Sequence, residues 1–274
     1  MAIKLVAVDV DGTLVTADQQ ILPRVRQAAA RAAQAGIELV LCTGRAECEC
    51  WYVLEQLPQL RYLISHTGSM VQDLKTREIL YHCPLSADDA RRIYSRLREY
   101  DGLVSLFADG KVYNPSEQVA QFTRYYPESF RVLFDHSHTY LDDMDGWLAA
   151  RQEPIEKYYV AYSGPEQAAL AKKALSDLPY FVTGAGFIDL EVMSPATSKG
   201  IALRALAERL GLQRGQILAV GDSCNDLAML DYAGTGVAMD NGEDTLKAAA
   251  DWIAPSNEEG GVADVLEKVI KGEF

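Results

Sequence analysis

The chain has 274 residues, with 26 Lys or Arg against 39 Asp or Glu, a formal net charge of −13. That length is one large or two ordinary domains, long enough to bury a sizeable core without disulfides. The acidic balance argues against a protein held to nucleic acid by phosphate contacts, which needs a basic face, and against a polybasic membrane-surface protein. No apolar run approaches the ~20 residues of a membrane span, and the opening run turns charged too early for a secretory signal. The five cysteines, Cys42, Cys48, Cys50, Cys83 and Cys224, form no CxxC and no regular framework. Reduced thiols and a cytoplasmic location are the expectation.

In chain order, residues 4–8 form an apolar run that ends in Asp9. Residues 23–35 are Ala-rich, with Pro at the start and Gly36 just past the end, a helix signature. Residues 37–42 are apolar and lead into Thr43-Gly44-Arg45; residues 47–57 predict a helix, and 62–65 a third strand ending near Gly68. From 84 to 190 the pattern changes. Two hairpins are predicted there, one turning at Asp109-Gly110 and one between strands at 180–183 and 187–192. Helices are predicted at 87–100, 116–125, 141–151 and 165–177. Downstream, 217–220 is apolar and ends in Gly221-Asp222, with shorter strands at 236–239 and 252–254. Continuous apolar strands alternating with helices indicate a parallel sheet covered on both faces. The fold class is therefore α/β, a Rossmann-like parallel-sheet core with an inserted α+β cap. Residues 1–83 and 191–274 form the two parts of the core, and 84–190 the cap.

Ligands of open parallel sheets sit outside the carboxyl ends of the strands, so Asp9, Asp11, Thr43 and Asp222 are candidates to converge. Lys199, in the helix opened by Ser198, could add an ammonium. A match to Asp-x-Asp-Gly-Thr arises by chance in roughly 0.3% of chains this long. Two carboxylates on one side of an extended segment need a cation between them or a proton on one.

Asp9-Val10-Asp11-Gly12-Thr13, Thr43-Gly44-Arg45, Lys199 and Gly221-Asp222-Ser223-Cys224-Asn225-Asp226 stand in this order along the chain. Together they resemble the four motifs of the haloacid dehalogenase-like (HAD) hydrolase superfamily. An insertion between the second and third motifs is similar to the Cof-type phosphatase subgroup with a type IIB cap. The resemblance implies a Mg²⁺-dependent phosphatase that hydrolyses small phosphorylated metabolites, sugar phosphates first, through an aspartyl-phosphate. It implies Asp9 as nucleophile and Asp11 as acid and base, the latter protonated under the influence of the Asp9 charge. Asp9, Asp222 and the Asp11 carbonyl would hold Mg²⁺, with Asp226 supporting them from behind. Thr43, through hydroxyl and backbone N–H, would bind phosphate together with Gly12, Gly44, Arg45, Lys199 and Asn225. Relatives often carry Asn-Gly where this chain has Thr67-Gly68, which bears on substrate recognition. The resemblance leaves open a phosphotransferase or phosphomutase of the same superfamily, and a non-catalytic phosphometabolite-binding protein.

Other features point elsewhere. His136-Ser137-His138 could offer two imidazoles but lacks a third ligand nearby, so an exposed cap loop is expected. Gly184-Ala185-Gly186 lacks the third glycine of a dinucleotide site. Tyr125-Tyr126 and Tyr158-Tyr159 are expected in packing, and Cys224 is expected to be inert beside acidic residues. Lys157 and Arg124 are cap cations that could meet substrate. The expected partner is a small phosphorylated metabolite, with no nucleic acid and no membrane.

Overall fold

The computed structural model describes residues 1–184 and 188–274. It divides into two compact units, one made of Met1–Arg45, Cys50–His82 and Ser198–Phe274, the other of Ala46–Glu49 and Cys83–Thr197.

The core unit begins with β1 (Leu5–Val8), every residue of it buried. Helix α1 (Pro23–Gln34) follows, with Pro at its first turn; Val25, Ala28, Ala29 and Ala32 form its buried stripe. The small side chains let it lie close on the sheet. Then come β2 (Glu38–Cys42), α2 (Trp51–Gln56) and β3 (Tyr62–Ser65). The helix predicted over 47–57 is broken. Glu47–Glu49 is a 3₁₀ turn belonging to the other unit, and the α-helix starts only at Trp51. Two strands that the pattern did not announce, β4 (Met70–Asp73) and β5 (Ile79–His82), extend the sheet antiparallel.

The second unit opens with α3 (Ala87–Leu97), capped by Ser86, whose hydroxyl accepts from the Asp89 N–H. Strands β6 (Gly102–Ala108) and β7 (Lys111–Pro115) form the hairpin predicted at Asp109-Gly110. Both turn residues have positive φ, 57° and 71°, as a tight two-residue turn requires. Arg151 grips the Asp109 carboxylate with two hydrogen bonds of 2.7 and 2.8 Å. Next are α4 (Ser116–Val119), α5 (Arg131–Ser137), β8 (His138–Leu141), α6 (Met144–Ala150), β9 (Lys157–Tyr162), α7 (Pro165–Leu175), β10 (Phe181–Thr183) and β11 (Asp189–Met193). The six strands run in the order β10-β11-β9-β6-β7-β8. One face of this sheet packs Val104, Leu106, Tyr158 and Val160 against Ile93 and Leu97 of α3, while Leu103 and Ala161 on the other meet Phe122, Tyr125 and Phe134. The second predicted hairpin joins β10 to β11; Ala185, Gly186 and Phe187 between them lie outside the described residues.

The chain returns to the core unit with α8 (Lys199–Leu210), β12 (Ile217–Gly221), α9 (Leu227–Tyr232), β13 (Thr235–Met239), α10 (Asp244–Ala249), β14 (Trp252–Ala254) and α11 (Gly261–Lys271). The sheet order is β14-β13-β12-β1-β2-β3-β4-β5, parallel from β14 to β3. Alternation assigns the faces: Val6 and Val8 join the cluster under α1 and α11, whereas Leu5 and Ala7 join the one under α8 and α9. β1 lies between β2 and β12, so the loops after these three strands emerge side by side at the carboxyl edge.

The His136–His138 segment corrects an expectation. His138 is not on an exposed loop: it opens β8 with its side chain 2% exposed, Nδ1 2.7 Å from Asn114 Oδ1 and Nε2 3.2 Å from Glu49 Oε1. The β7–β8 pairing draws it in, while His136 stays exposed at the end of α5. Tyr158 donates to the Ala90 carbonyl within the apolar cluster. Lys157 is buried against Glu191 at 2.5 Å and over the Phe107 ring, and Arg124 pairs with Asp101. No helix among the described residues is long and apolar enough to cross a membrane.

Candidate active site

Five of the predicted residues, Asp9, Lys199, Asp222, Asn225 and Asp226, meet at the carboxyl edge of the core sheet. Asp9, buried directly after β1, is fixed by its N–H to the Val220 carbonyl of β12 at 3.0 Å. Lys199 is the first residue of α8, whose N-cap Ser198 accepts from the Ile201 N–H at 3.1 Å. From there its buried ammonium reaches three oxygens: Asp9 Oδ1 at 2.6 Å, Asp226 Oδ1 at 2.5 Å and Asn225 Oδ1 at 3.1 Å. Asp226 is fully buried, and its Oδ2 accepts from the backbone N–H groups of Asp222 and Ser223 at 3.0 and 3.2 Å. It therefore ties Lys199 to the loop that carries Asp222. Thr13 donates to Asp222 Oδ1 at 3.0 Å, a bond that no spacing rule announced.

Asp9, Asp222 and Asp226 each place a carboxylate oxygen within 4.8 Å of the others. Three carboxylates share one ammonium, which leaves two negative charges uncompensated in a buried place. The pKa directions follow. Burial works against the Lys199 charge, but Asp226 and Asp9 override it and hold the ammonium well above its ordinary range. The shortage falls on the acids. Burial, only partly offset by Lys199, pushes Asp9 well up, and Asp226 and Asp222 push it further. Burial and Asp226 push Asp222 up to about 6. A divalent cation would supply the two missing charges, and hard carboxylate oxygens suit Mg²⁺. Asp226 has both oxygens committed to Lys199 and backbone donors, so Asp9 and Asp222 are the residues that fit a metal, with Asp226 behind them.

Gly12 has φ +74°, and a Cβ there would lie 2.5 Å from Asp222 Oδ2, so only glycine lets the two loops approach so closely. Thr43 is buried after β2, its hydroxyl accepting from the Arg45 N–H at 3.1 Å. Its own N–H, expected to face phosphate, instead donates to the Ile64 carbonyl at 2.8 Å. The β2–β3 pairing simply continues one residue past Cys42, which commits that donor. Gly44 beside it is half-buried.

Asp11 is placed apart from the carboxylate group. Its side chain is half exposed, and Arg45 holds both oxygens, Nε to Oδ2 at 2.8 Å and Nη2 to Oδ1 at 2.6 Å. The same Nη2 donates to Gln19 Oε1 at 2.6 Å, and the Tyr52 hydroxyl donates to that oxygen too. Burial opposes the Arg45 charge, yet Asp11 outweighs it and raises the guanidinium above its ordinary value. The sequence named Asp9 as the neighbour governing Asp11; the closest charge is Arg45, from a loop 34 residues on. Cys224 bonds to Glu243, which raises its thiol pKa, in keeping with an inert thiol.

The third strand ends in an unusual turn. His66, Thr67 and Gly68 have φ of 53°, 57° and 98°. The Thr67 N–H donates to the Thr43 carbonyl at 3.0 Å, so this turn buttresses the loop after β2.

Residues 6–266 match the family model described as haloacid dehalogenase-like hydrolase. The 5-amino-6-(5-phospho-D-ribitylamino)uracil phosphatase YcsE of Bacillus subtilis is 30% identical, over 96% of this chain and 94% of its own. The pyridoxal phosphate phosphatase YbhA of Escherichia coli is 26% identical, over 97% and 98%. A haloacid dehalogenase-like hydrolase from B. subtilis of solved structure superposes with a TM-score of 0.87 at 25% identity, covering 97% of this chain and 99% of that one.

Proposed function

The chain belongs to the haloacid dehalogenase-like hydrolase family, and on that premise we propose that it is a Mg²⁺-dependent phosphatase of small phosphomonoesters, sugar phosphates first among them. The observation that carries the reading is the buried Asp9 carboxylate, held at Oδ1 by Lys199 while its Oδ2 accepts no hydrogen bond among the described residues. Ionised once a divalent cation supplies the missing charge, a carboxylate so fixed would be an oriented nucleophile. Asp9 attacks phosphorus in line with the leaving oxygen, the P–O bond to the alcohol breaks, and an aspartyl-phosphate forms. Asp11 gives a proton to the departing oxygen, then takes one from the water that attacks phosphorus and releases phosphate. Arg45 occupies both Asp11 oxygens, so Asp11 acts as that pair opens and the guanidinium turns to the phosphate. Lys199 keeps Asp9 in place, and Asn225 and Asp226 keep Lys199 in place. Bound between Asp9 and Asp222, Mg²⁺ would neutralise charge on the phosphoryl oxygens. The second unit, in this reading, is the cap that selects the alcohol.

The test is phosphate release from a panel of sugar phosphates, pyridoxal phosphate and flavin mononucleotide, with Mg²⁺ and with EDTA. Asp9→Asn should abolish release and leave the circular dichroism spectrum unchanged. Turnover by Asp9→Asn at the wild-type rate would overturn the mechanism. An isomerised sugar phosphate without phosphate release would assign a mutase instead.

A further inference from the structure

Two asparagines outside the four motifs join the loops that carry the nucleophile and Asp222. Asn241, in the loop after β13, donates its side-chain N–H to the Gly12 carbonyl at 2.8 Å. Its side-chain oxygen accepts from the Asn257 N–H at 3.0 Å. Asn257 in turn donates its own amide to the Val15 carbonyl at 2.8 Å. Next to it, Glu258 accepts from the Ala17 N–H at 2.7 Å. The loop between Asp9 and Ala17 is thus bound at Gly12, Val15 and Ala17.

The other end of the device rests on Asp222. The Glu243 N–H donates to the Asp222 carbonyl at 2.8 Å, and the Gly242 N–H to the Met239 carbonyl at 2.9 Å. Gly242 lies so close that a Cβ on it would be 2.7 Å from the Asp222 carbonyl oxygen. Residues 241–243 therefore touch the backbone of both loops, Gly12 through a side chain and Asp222 through a backbone donor. The amide at position 241 does two jobs at once. It gives a hydrogen to one carbonyl while accepting one from a backbone N–H; a carboxylate accepts only, and an alkyl group does neither.

We infer that Asn241, backed by Asn257, is a positioning residue that sets the spacing between the Asp9–Asp11 loop and Asp222. The inference rests on the assignment of Asp9 as nucleophile and Asp222 as metal ligand. Asn241 is exposed and Asn257 half-buried, so the bonds sit where water can replace them and their loss costs little folding stability. Reaction geometry is less forgiving, since a displacement of about 1 Å costs on the order of 100-fold in rate.

The experiment compares the wild type with Asn241→Ala, Asn241→Asp, Asn257→Ala and the double alanine variant. It measures kcat and KM for p-nitrophenyl phosphate with Mg²⁺, thermal midpoint, and amide hydrogen exchange. Asn241→Ala should lower kcat by about 10- to 100-fold with KM and midpoint nearly unchanged. Asn241→Asp, which keeps the acceptor but loses the donor, should fall at least as far. The double variant should fall further than Asn241→Ala, because Asn257→Ala keeps the backbone N–H that supports Asn241 and removes a second tie, the side-chain bond to Val15. Exchange should rise at residues 13–17 and stay unchanged in α8. Unchanged kcat and exchange in Asn241→Ala would overturn the inference. So would a fall in kcat that tracks a global fall in midpoint, or full activity in Asn241→Asp. Should the wild type release no phosphate, the phosphatase reading fails, and the exchange at residues 13–17 still decides whether the clasp exists.

Discussion

Gly68→Ala probes how tightly the turn after β3 is wedged against the start of α8. A Cβ at Gly68 would lie 2.3 Å from the Ser198 carbonyl oxygen, 2.4 Å from its carbon and 2.8 Å from the Lys199 nitrogen. All three are backbone atoms, so no change of rotamer relieves the contact. The left-handed φ alone costs alanine about 1–2 kcal/mol, and forcing the backbones apart adds about 1–3 kcal/mol. Gly36→Ala isolates the first cost, because Gly36 has φ +78° and nothing within 4 Å of its missing Cβ. We expect a loss of about 1–2 kcal/mol for Gly36→Ala and about 2–5 kcal/mol for Gly68→Ala. Urea unfolding followed by tryptophan fluorescence reads both, since Trp51 and Trp252 belong to the core unit, and midpoints compare directly if the slope is unchanged. The atoms pushed aside belong to Ser198 and Lys199, so Gly68→Ala should lower turnover as well, and Gly36→Ala should not. Equal losses in the two variants, with equal turnover, would refute the close contact and the role assigned to it.

Lys199→Met removes the ammonium that, among the described residues, alone bonds Asp9 and Asp226; breaking such a buried pair costs about 3–5 kcal/mol, and the loss should shrink towards lower pH as Asp9, already held well above the ordinary carboxylate range, takes up a proton, which denaturation at pH 7.5 and at pH 5 checks. Thr67 is β-branched at φ 57°, where Asn is far better tolerated, so Thr67→Asn should raise stability by about 1 kcal/mol; an unchanged or lower midpoint contradicts this. Asp222 has its folded pKa raised to about 6 from 3.8. The native state thus binds a proton more tightly than the unfolded chain, and that contribution is complete below pH 3.8 and lost as pH rises through 6. In EDTA, Asp222→Asn should therefore stabilise the protein at pH 7.5 and not at pH 4. Mg²⁺ should raise the wild-type midpoint at pH 7.5 and lose that effect below pH 5; calorimetry across this range decides both.

The parallel strands were legible because a strand buried on both faces has to be apolar at every position, as in Leu5–Val8 and Ile217–Val220. β4 was not, although it is buried throughout, because Gln72 and Asp73 interrupt it. Asp73 earns its burial locally, accepting from Arg61 and from the N–H groups of Lys75 and Thr76. β5 is half-exposed along its length and shows no alternation. Within the site, Asp9, Asp222 and Lys199 stood out because each directly ends a strand or opens a helix at one sheet edge. The Arg45–Asp11 pair and the Asn241–Gly12 bond did not, since each joins side chains and loops whose meeting depends on tertiary placement. The one available signal for Asn241 was the turn triplet Asp240-Asn241-Gly242 directly after β13, at the edge where the other loops gather.

The two ends of the inserted segment meet. The Thr197 hydroxyl donates to the Cys83 carbonyl at 3.3 Å, and the Cys83 thiol lies 3.3 Å from the Ser194 hydroxyl. For the growing chain this changes the order of events. Bringing β12 beside β1 across a disordered insertion would carry the entropy of closing the whole intervening chain; an insertion already folded, its ends together, roughly halves that loop and lowers the cost by about 0.6 kcal/mol. An insertion folded first is thus a small kinetic aid to its host, since the joined ends at Cys83 and Thr197 let the chain treat it as a short link.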